Sequence, residues 1–157
     1  MCDAIIHQKM STDDPDYHGG IRTSMMTWHD GAIVTLQNLR SARLLRAHPN
    51  KSVDVLESEG QSTQWTVNLT KSNSLPVCVQ LESLTHPGEC LGVREGGGLA
   101  VGECACEFVV GMFEGTFVLE VKERPKCFLR GNVDGAVRAS VATELDDHIR
   151  FTVRRIK

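Results

Sequence analysis

The residues able to do chemistry are spread thinly along the chain. Six cysteines (Cys2, Cys78, Cys90, Cys104, Cys106, Cys127) and six histidines (His7, His18, His29, His48, His86, His148) occur among 157 residues. Cys104-Ala105-Cys106 is the close thiol pair. Residues two apart in a strand face one side, so these thiols can share a soft metal or a redox role. A structural zinc site takes four ligands, usually from two such pairs, and the second pair is missing. The pair is therefore expected to be two small side chains at a strand start. Cys78, Cys90 and Cys127 read as small buried hydrophobes, and Cys2 as an exposed, oxidisable thiol. His48, His86 and His148 fall near expected strand ends and read as exposed loop residues. The chain has no GxxxxGK phosphate loop, no HExxH and no GxSxG elbow. Gly96-Gly97-Gly98 reads as a hairpin turn without a following helix to aim amides at a phosphate. No catalytic residue, metal set or cofactor is expected, no small-molecule ligand is indicated, and the chain reads as a non-enzyme.

Composition narrows the classes further. Hydrophobic residues make up 41% of the chain, enough for a core, while no apolar run approaches the ~18 residues of a membrane-spanning helix. The net charge of −3 argues against a nucleic-acid binder, which is usually basic. Charge is uneven: residues 1–73 are close to neutral, residues 74–116 carry one cation against six carboxylates, and residues 117–157 carry nine cations against six carboxylates. In MCDAIIHQKM the only apolar stretch is Ala4-Ile5-Ile6, too short for a secretory signal. A cytoplasmic chain with reduced thiols is expected, with signal-less export as the alternative. Asn50-Lys51-Ser52 and Asn68-Leu69-Thr70 match the glycosylation sequon, which matters only in the secretory pathway.

The elements that position these residues come from an internal repeat. An aromatic residue followed two places later by valine recurs as Trp65-Thr66-Val67, Phe108-Val109-Val110 and Phe151-Thr152-Val153, at intervals of 43 residues. Eight residues separate Leu45 from Val53, Leu91 from Leu99 and Leu129 from Val137. Between each pair lies turn chemistry: Pro49-Asn50-Lys51, Gly96-Gly97-Gly98 and Asp134-Gly135. Alternating apolar positions open each segment, at Ile33–Leu36, Val77–Leu81 and Phe117–Val121. Each segment therefore supplies four short strands. The expected fold is all-β, twelve strands in three pseudo-repeats at about 30–73, 74–116 and 117–157. Expected core residues are Leu45, Val53, Trp65, Val67, Leu91, Leu99, Phe108, Val110, Leu129, Val137, Phe151 and Val153. Leu36–Ala47 (LQNLRSARLLRA) also has the period of an amphipathic helix, and the repeat registration overrides it. Residues 1–29, with Ser11-Thr12-Asp13-Asp14-Pro15-Asp16, Gly19-Gly20 and four of the five methionines, read as a disordered tail ahead of a 30–157 domain.

This three-segment pattern resembles the β-trefoil superfamily over about residues 30–157. Trp65-Thr66-Val67, Pro76-Val77-Cys78-Val79, Cys90-Leu91-Gly92-Val93 and Phe128-Leu129-Arg130-Gly131 are most similar to fascin-like trefoils. Those proteins and the related hisactophilins are cytosolic and bind actin filaments, so the resemblance implies an actin-associated, protein-binding role. Leu81–Leu91 is similar to a Glu-Ser…Pro-Gly signature of interleukin-1-type cytokines, and Cys90–Ala100 to a fibroblast-growth-factor hairpin. Those two likenesses imply a receptor as partner. A Pro-Gly ahead of such a hairpin also resembles arabinose-binding trefoil modules, which implies a sugar ligand. Three-fold symmetry would bring the first connection of each repeat to one end, gathering Arg40, Arg43, His86, Lys122, Arg124 and Lys126 into a cationic rim, with Arg154, Arg155 and Lys157 adding to it, for an acidic partner such as actin or an anionic lipid headgroup.

Overall fold

Alternating apolar residues broken by turn residues give twelve strands in the computed structural model, which describes residues 27–70, 76–103 and 105–157. The first four are β1 (Ile33–Asn38), β2 (Leu44–Ala47), β3 (Val53–Leu56) and β4 (Trp65–Leu69). The second four are β5 (Val77–Ser83), β6 (Leu91–Val93), β7 (Leu99–Val101) and β8 (Phe108–Phe113). The last four are β9 (Thr116–Val121), β10 (Cys127–Gly131), β11 (Val137–Val141) and β12 (Phe151–Arg155). A short 3-10 segment at Gln61–Thr63 lies between β3 and β4.

The first and fourth strands of each group form a closed ring. β1 pairs with β4, β4 with β5, β5 with β8, β8 with β9, β9 with β12 and β12 with β1, all antiparallel. Closure removes free sheet edges from the ring. The second and third strands of each group make hairpins, β2–β3, β6–β7 and β10–β11. The hairpins meet one another through the bridges Ser52↔Ala100 and Gly98↔Arg138. Each turns on a residue of positive φ placed six residues after its leading leucine: Lys51 (φ 72), Gly97 (φ 92) and Gly135 (φ 90).

The core follows the repeat. Leu45, Leu91, Leu129, Trp65, Phe108, Phe151 and Val67 are fully buried, with Leu99, Val110 and Val137 nearly so. Val53 and Val153 are half-buried against the margin of the same cluster. Trp65 replaces phenylalanine at little polar cost, because its indole Nε1 donates to the Leu45 carbonyl at 3.1 Å. A second small cluster of Val118, Phe128, Ala142 and Ile149 lies outside this core, in the last repeat.

One expectation needs correction, and one ambiguity is resolved as the repeat registration implied. Trp28, read as tail, is 1% exposed and packs edge-on against Phe117 with ring centroids 5.5 Å apart. The packed domain therefore begins before residue 30; the tail reading of residues 1–26 lies outside the described residues. Across Leu36–Ala47 the chain is strand, turn, strand. Asn38 decides this: its buried side-chain Oδ1 accepts from the Arg40 and Ser41 amides, and its Nδ2 donates to the His148 carbonyl. Such a local turn competes directly with helix continuation.

Candidate functional site

Of the six residues expected on a common rim, four take separate local roles. His86 Nε2 lies 2.8 Å from the His48 carbonyl oxygen, so that nitrogen carries the proton and donates. Arg124 donates to the carbonyls of Arg94 (3.0 Å) and Val93 (3.4 Å). Arg43 pairs with Glu57 at 3.4 Å and lies against Gly135. In each case a first connection reaches the hairpin of the neighbouring repeat. These three side chains are stitches between repeats. Lys122 is taken by Glu107 at 2.7 Å, a hydrogen bond that raises its pKa. Arg40 and Lys126 are exposed. The acidic middle repeat accounts for part of this pairing, since Glu89 holds Lys51 at 2.8 Å as Glu107 holds Lys122.

The loop histidines are also half-buried, contrary to the exposed positions expected. His148 donates from Nδ1 to the Gly131 carbonyl at 2.9 Å. His48 Nε2 sits 2.7 Å from Asp54, which Arg46 also grips in two hydrogen bonds of 2.9 and 2.8 Å. Burial pushes the Asp54 carboxyl up, but the Arg46 and His48 hydrogen bonds outweigh it and hold its pKa below the usual value.

The thiols are held quiet. Cys78, Cys90, Cys106 and Cys127 are free, and burial raises the pKa of Cys90 and Cys127, with the Glu82 carboxylate adding to it at Cys90. Cys106 Sγ accepts from the Val93 amide at 3.3 Å. Cys104 lies outside the described residues, and the shared-thiol question with it. Among the described residues no three His, Cys, Asp or Glu side chains gather as a metal site. No helix there is long and apolar enough to cross a membrane.

What the barrel does present is a seam. Where β1 and β12 close the ring, Gln37 lies opposite Thr152, and Thr35 opposite Arg154. Gln37, Thr152 and Arg154 are exposed on the outside of the wall, Thr35 is buried at the floor of the same surface, and the segment 57–60 stands beside them. Three shallow clefts adjoin here. One of about 290 Å³ is lined by Thr35, Gln37, Leu44, Glu57, Glu59, Thr152 and Arg154. A second, of about 450 Å³, shares Glu59 and Arg154 with it and adds Gly60, Gln64, Arg155 and Ile156. A third, of about 350 Å³, shares Glu57 and runs to Arg43, Val55, Leu56 and Ser58. Glu59 accepts from Arg154, and Gln37 is anchored by its Nε2 donating to the Ala42 carbonyl at 2.9 Å. Of the seam residues, Arg43, Arg154 and Arg155 were read in the sequence only as charges of the cationic rim, and Gln37, Thr152 and Glu59 were not read as site residues. Their signal was the polar, same-face pairs Thr35/Gln37 and Thr152/Arg154, and it gains meaning only once the first and last strands are known to pair.

No family model matches the chain, and no curated protein sequence matches it. Solved structures do. A ricin B-like lectin from Macrolepiota procera, solved with lactose, superposes with a TM-score of 0.68 over 81% of this chain and 97% of that one, at 20% identity. The fold is a β-trefoil. The GlcNAcα1-4Gal-releasing endo-β-galactosidase of Clostridium perfringens also matches, with a TM-score of 0.68 over 80% of this chain and 11% identity. There the likeness spans 33% of the larger enzyme. The trefoil accounts for the closed ring, the three hairpins and the 43-residue interval together, and identities this low speak to the fold alone.

Proposed function

We propose that this β-trefoil is a non-catalytic recognition module and that its ligand is a carbohydrate. The observation that carries this reading is the run of adjoining, shallow clefts along the β1–β12 seam, lined by both polar and apolar groups, on a scaffold whose interior is filled by side chains. Hydroxyl, amide, carboxylate and guanidinium groups stand within one surface there. They match a ligand whose groups both donate and accept hydrogen bonds. The lectin among the structural neighbours is in keeping with it. The described aromatics are buried or, for Phe113, half-buried beneath Arg150 at 5.2 Å, so no stacking platform adds affinity. Binding is accordingly weak, on the order of 1 mM for a single site. The test is a glycan array probed with the multivalent, tagged full chain. Retention on a defined set of glycans is expected; a blank array removes the reading.

An actin or receptor partner, the role implied by the fascin-like and cytokine-like motifs, drew its physical support from a free cationic rim. With Arg43, His86, Lys122 and Arg124 engaged locally, that support is reduced to Arg40 and Lys126. Co-sedimentation with filamentous actin is the direct comparison, and pelleting above control would restore it to first place.

A further inference from the structure

The cations and carboxylates of the seam are matched to each other before any ligand arrives. Arg154 is bound by Glu59, and Arg43 by Glu57. These two ion pairs bracket the tile formed by Gln37 and Thr152. An anionic ligand entering here must compete with Glu59 for Arg154, and it meets the Glu57 carboxylate, whose side chain is 80% exposed. It gains little by doing so. A neutral hydroxyl meets no such conflict: it accepts from the guanidinium and donates to the carboxylate without breaking the pair. The Gln37 amide, fixed through one N–H, keeps its Oε1 as an acceptor beside the exposed Thr152 hydroxyl.

We infer that the β1–β12 seam is a site for a neutral oligosaccharide, read through Gln37, Thr152 and the Arg154–Glu59 pair. The inference rests on the carbohydrate reading above and adds to it the location, the charge class and the length of the ligand. Because neighbouring clefts share Glu57, Glu59 and Arg154, the site is a continuous track that accommodates more than one sugar ring. Recognition without net charge also makes the affinity nearly insensitive to salt, since no counterion is displaced.

The experiment is an amide chemical-shift titration of the full chain with lactose, with the neutral tetrasaccharide lacto-N-neotetraose, and with sulfated lactose. Expected are shifts confined to residues 35–37, 57–60 and 152–156, with the tetrasaccharide tighter than lactose and the sulfated sugar weaker than both. The affinity should change by less than about twofold between about 0.1 and about 1 M salt. Gln37→Ala and Thr152→Ala, at exposed positions, each weaken binding about fivefold while leaving the remaining spectrum unchanged. Shifts centred elsewhere overturn the seam and leave the carbohydrate reading standing. A preference for the sulfated sugar overturns the charge class. Silence towards all three sugars with a positive array overturns the seam, and a blank array removes the function beneath it.

Discussion

Single side chains in this protein act mostly as connectors. Asn38 is the clearest: fully buried, it serves one carbonyl through Nδ2 and two amides through Oδ1. Asn38→Ala removes all three bonds and leaves a cavity in their place, and should lower the unfolding free energy by about 2–3 kcal/mol, read as a shifted urea midpoint at unchanged slope. Asp54 connects in a pH-dependent way. Its carboxyl titrates below the unfolded value in the folded chain, so its contribution is complete above about pH 4 and is lost as pH falls through the folded pKa. Asp54→Asn should lower stability most near neutral pH and flatten that acid limb, the difference from the unsubstituted chain shrinking as pH falls, measurable as urea midpoints from about pH 6 down to about pH 2. Neither role shows in the sequence. An asparagine at a strand end and an aspartate in a strand acquire their partners only from distant carbonyls and a neighbouring strand.

At the scale of the element, the hairpins show how one turn geometry is met at different cost. Lys51, Gly97 and Gly135 occupy matching positions, all with positive φ. A methyl group at Gly97 would come within 2.5 Å of the Ala139 carbonyl oxygen, which is backbone and cannot move aside. At Gly135 the obstacle is Arg43 Nη1 at 2.6 Å, the free end of a flexible side chain. Gly135→Ala should therefore cost about 1–2 kcal/mol from the left-handed backbone alone, and Gly97→Ala distinctly more. Thermal midpoints of the two variants give the comparison, and equal losses would contradict it. The hairpins and strands were legible because turn chemistry and alternation recur at one interval in three places. Leu36–Ala47 was ambiguous because its leucine spacing suits both periods, and the Asn38 turn that resolves it depends on a long-range bond to His148. Trp28 was missed because a lone tryptophan without neighbouring periodicity carries no strand or helix signal.

For the whole molecule, the uneven charge along the sequence becomes pairing between repeats. The acidic middle segment gives Glu89 to Lys51 of the first repeat and Glu107 to Lys122 of the third. The expected rim was legible as composition, but its cations are drawn to hairpin carbonyls and carboxylates that are far away in sequence. The seam was illegible for the same reason in reverse. Thr35 and Arg154 stand opposite one another only because the first and last strands close the ring, a contact spanning almost the whole described chain. Fold class could be read from a period; the candidate site needed the closure.

That closure has an optical consequence. Both tryptophans of the protein are interior, yet they watch different events. Trp65 begins β4 and donates its indole N–H to a first-repeat carbonyl, whereas Trp28 leans on Phe117 of β9. If the barrel parts at its terminal strands before it melts, the emission of Trp28 will redden first, and the molecule carries its own gauge of how it comes undone.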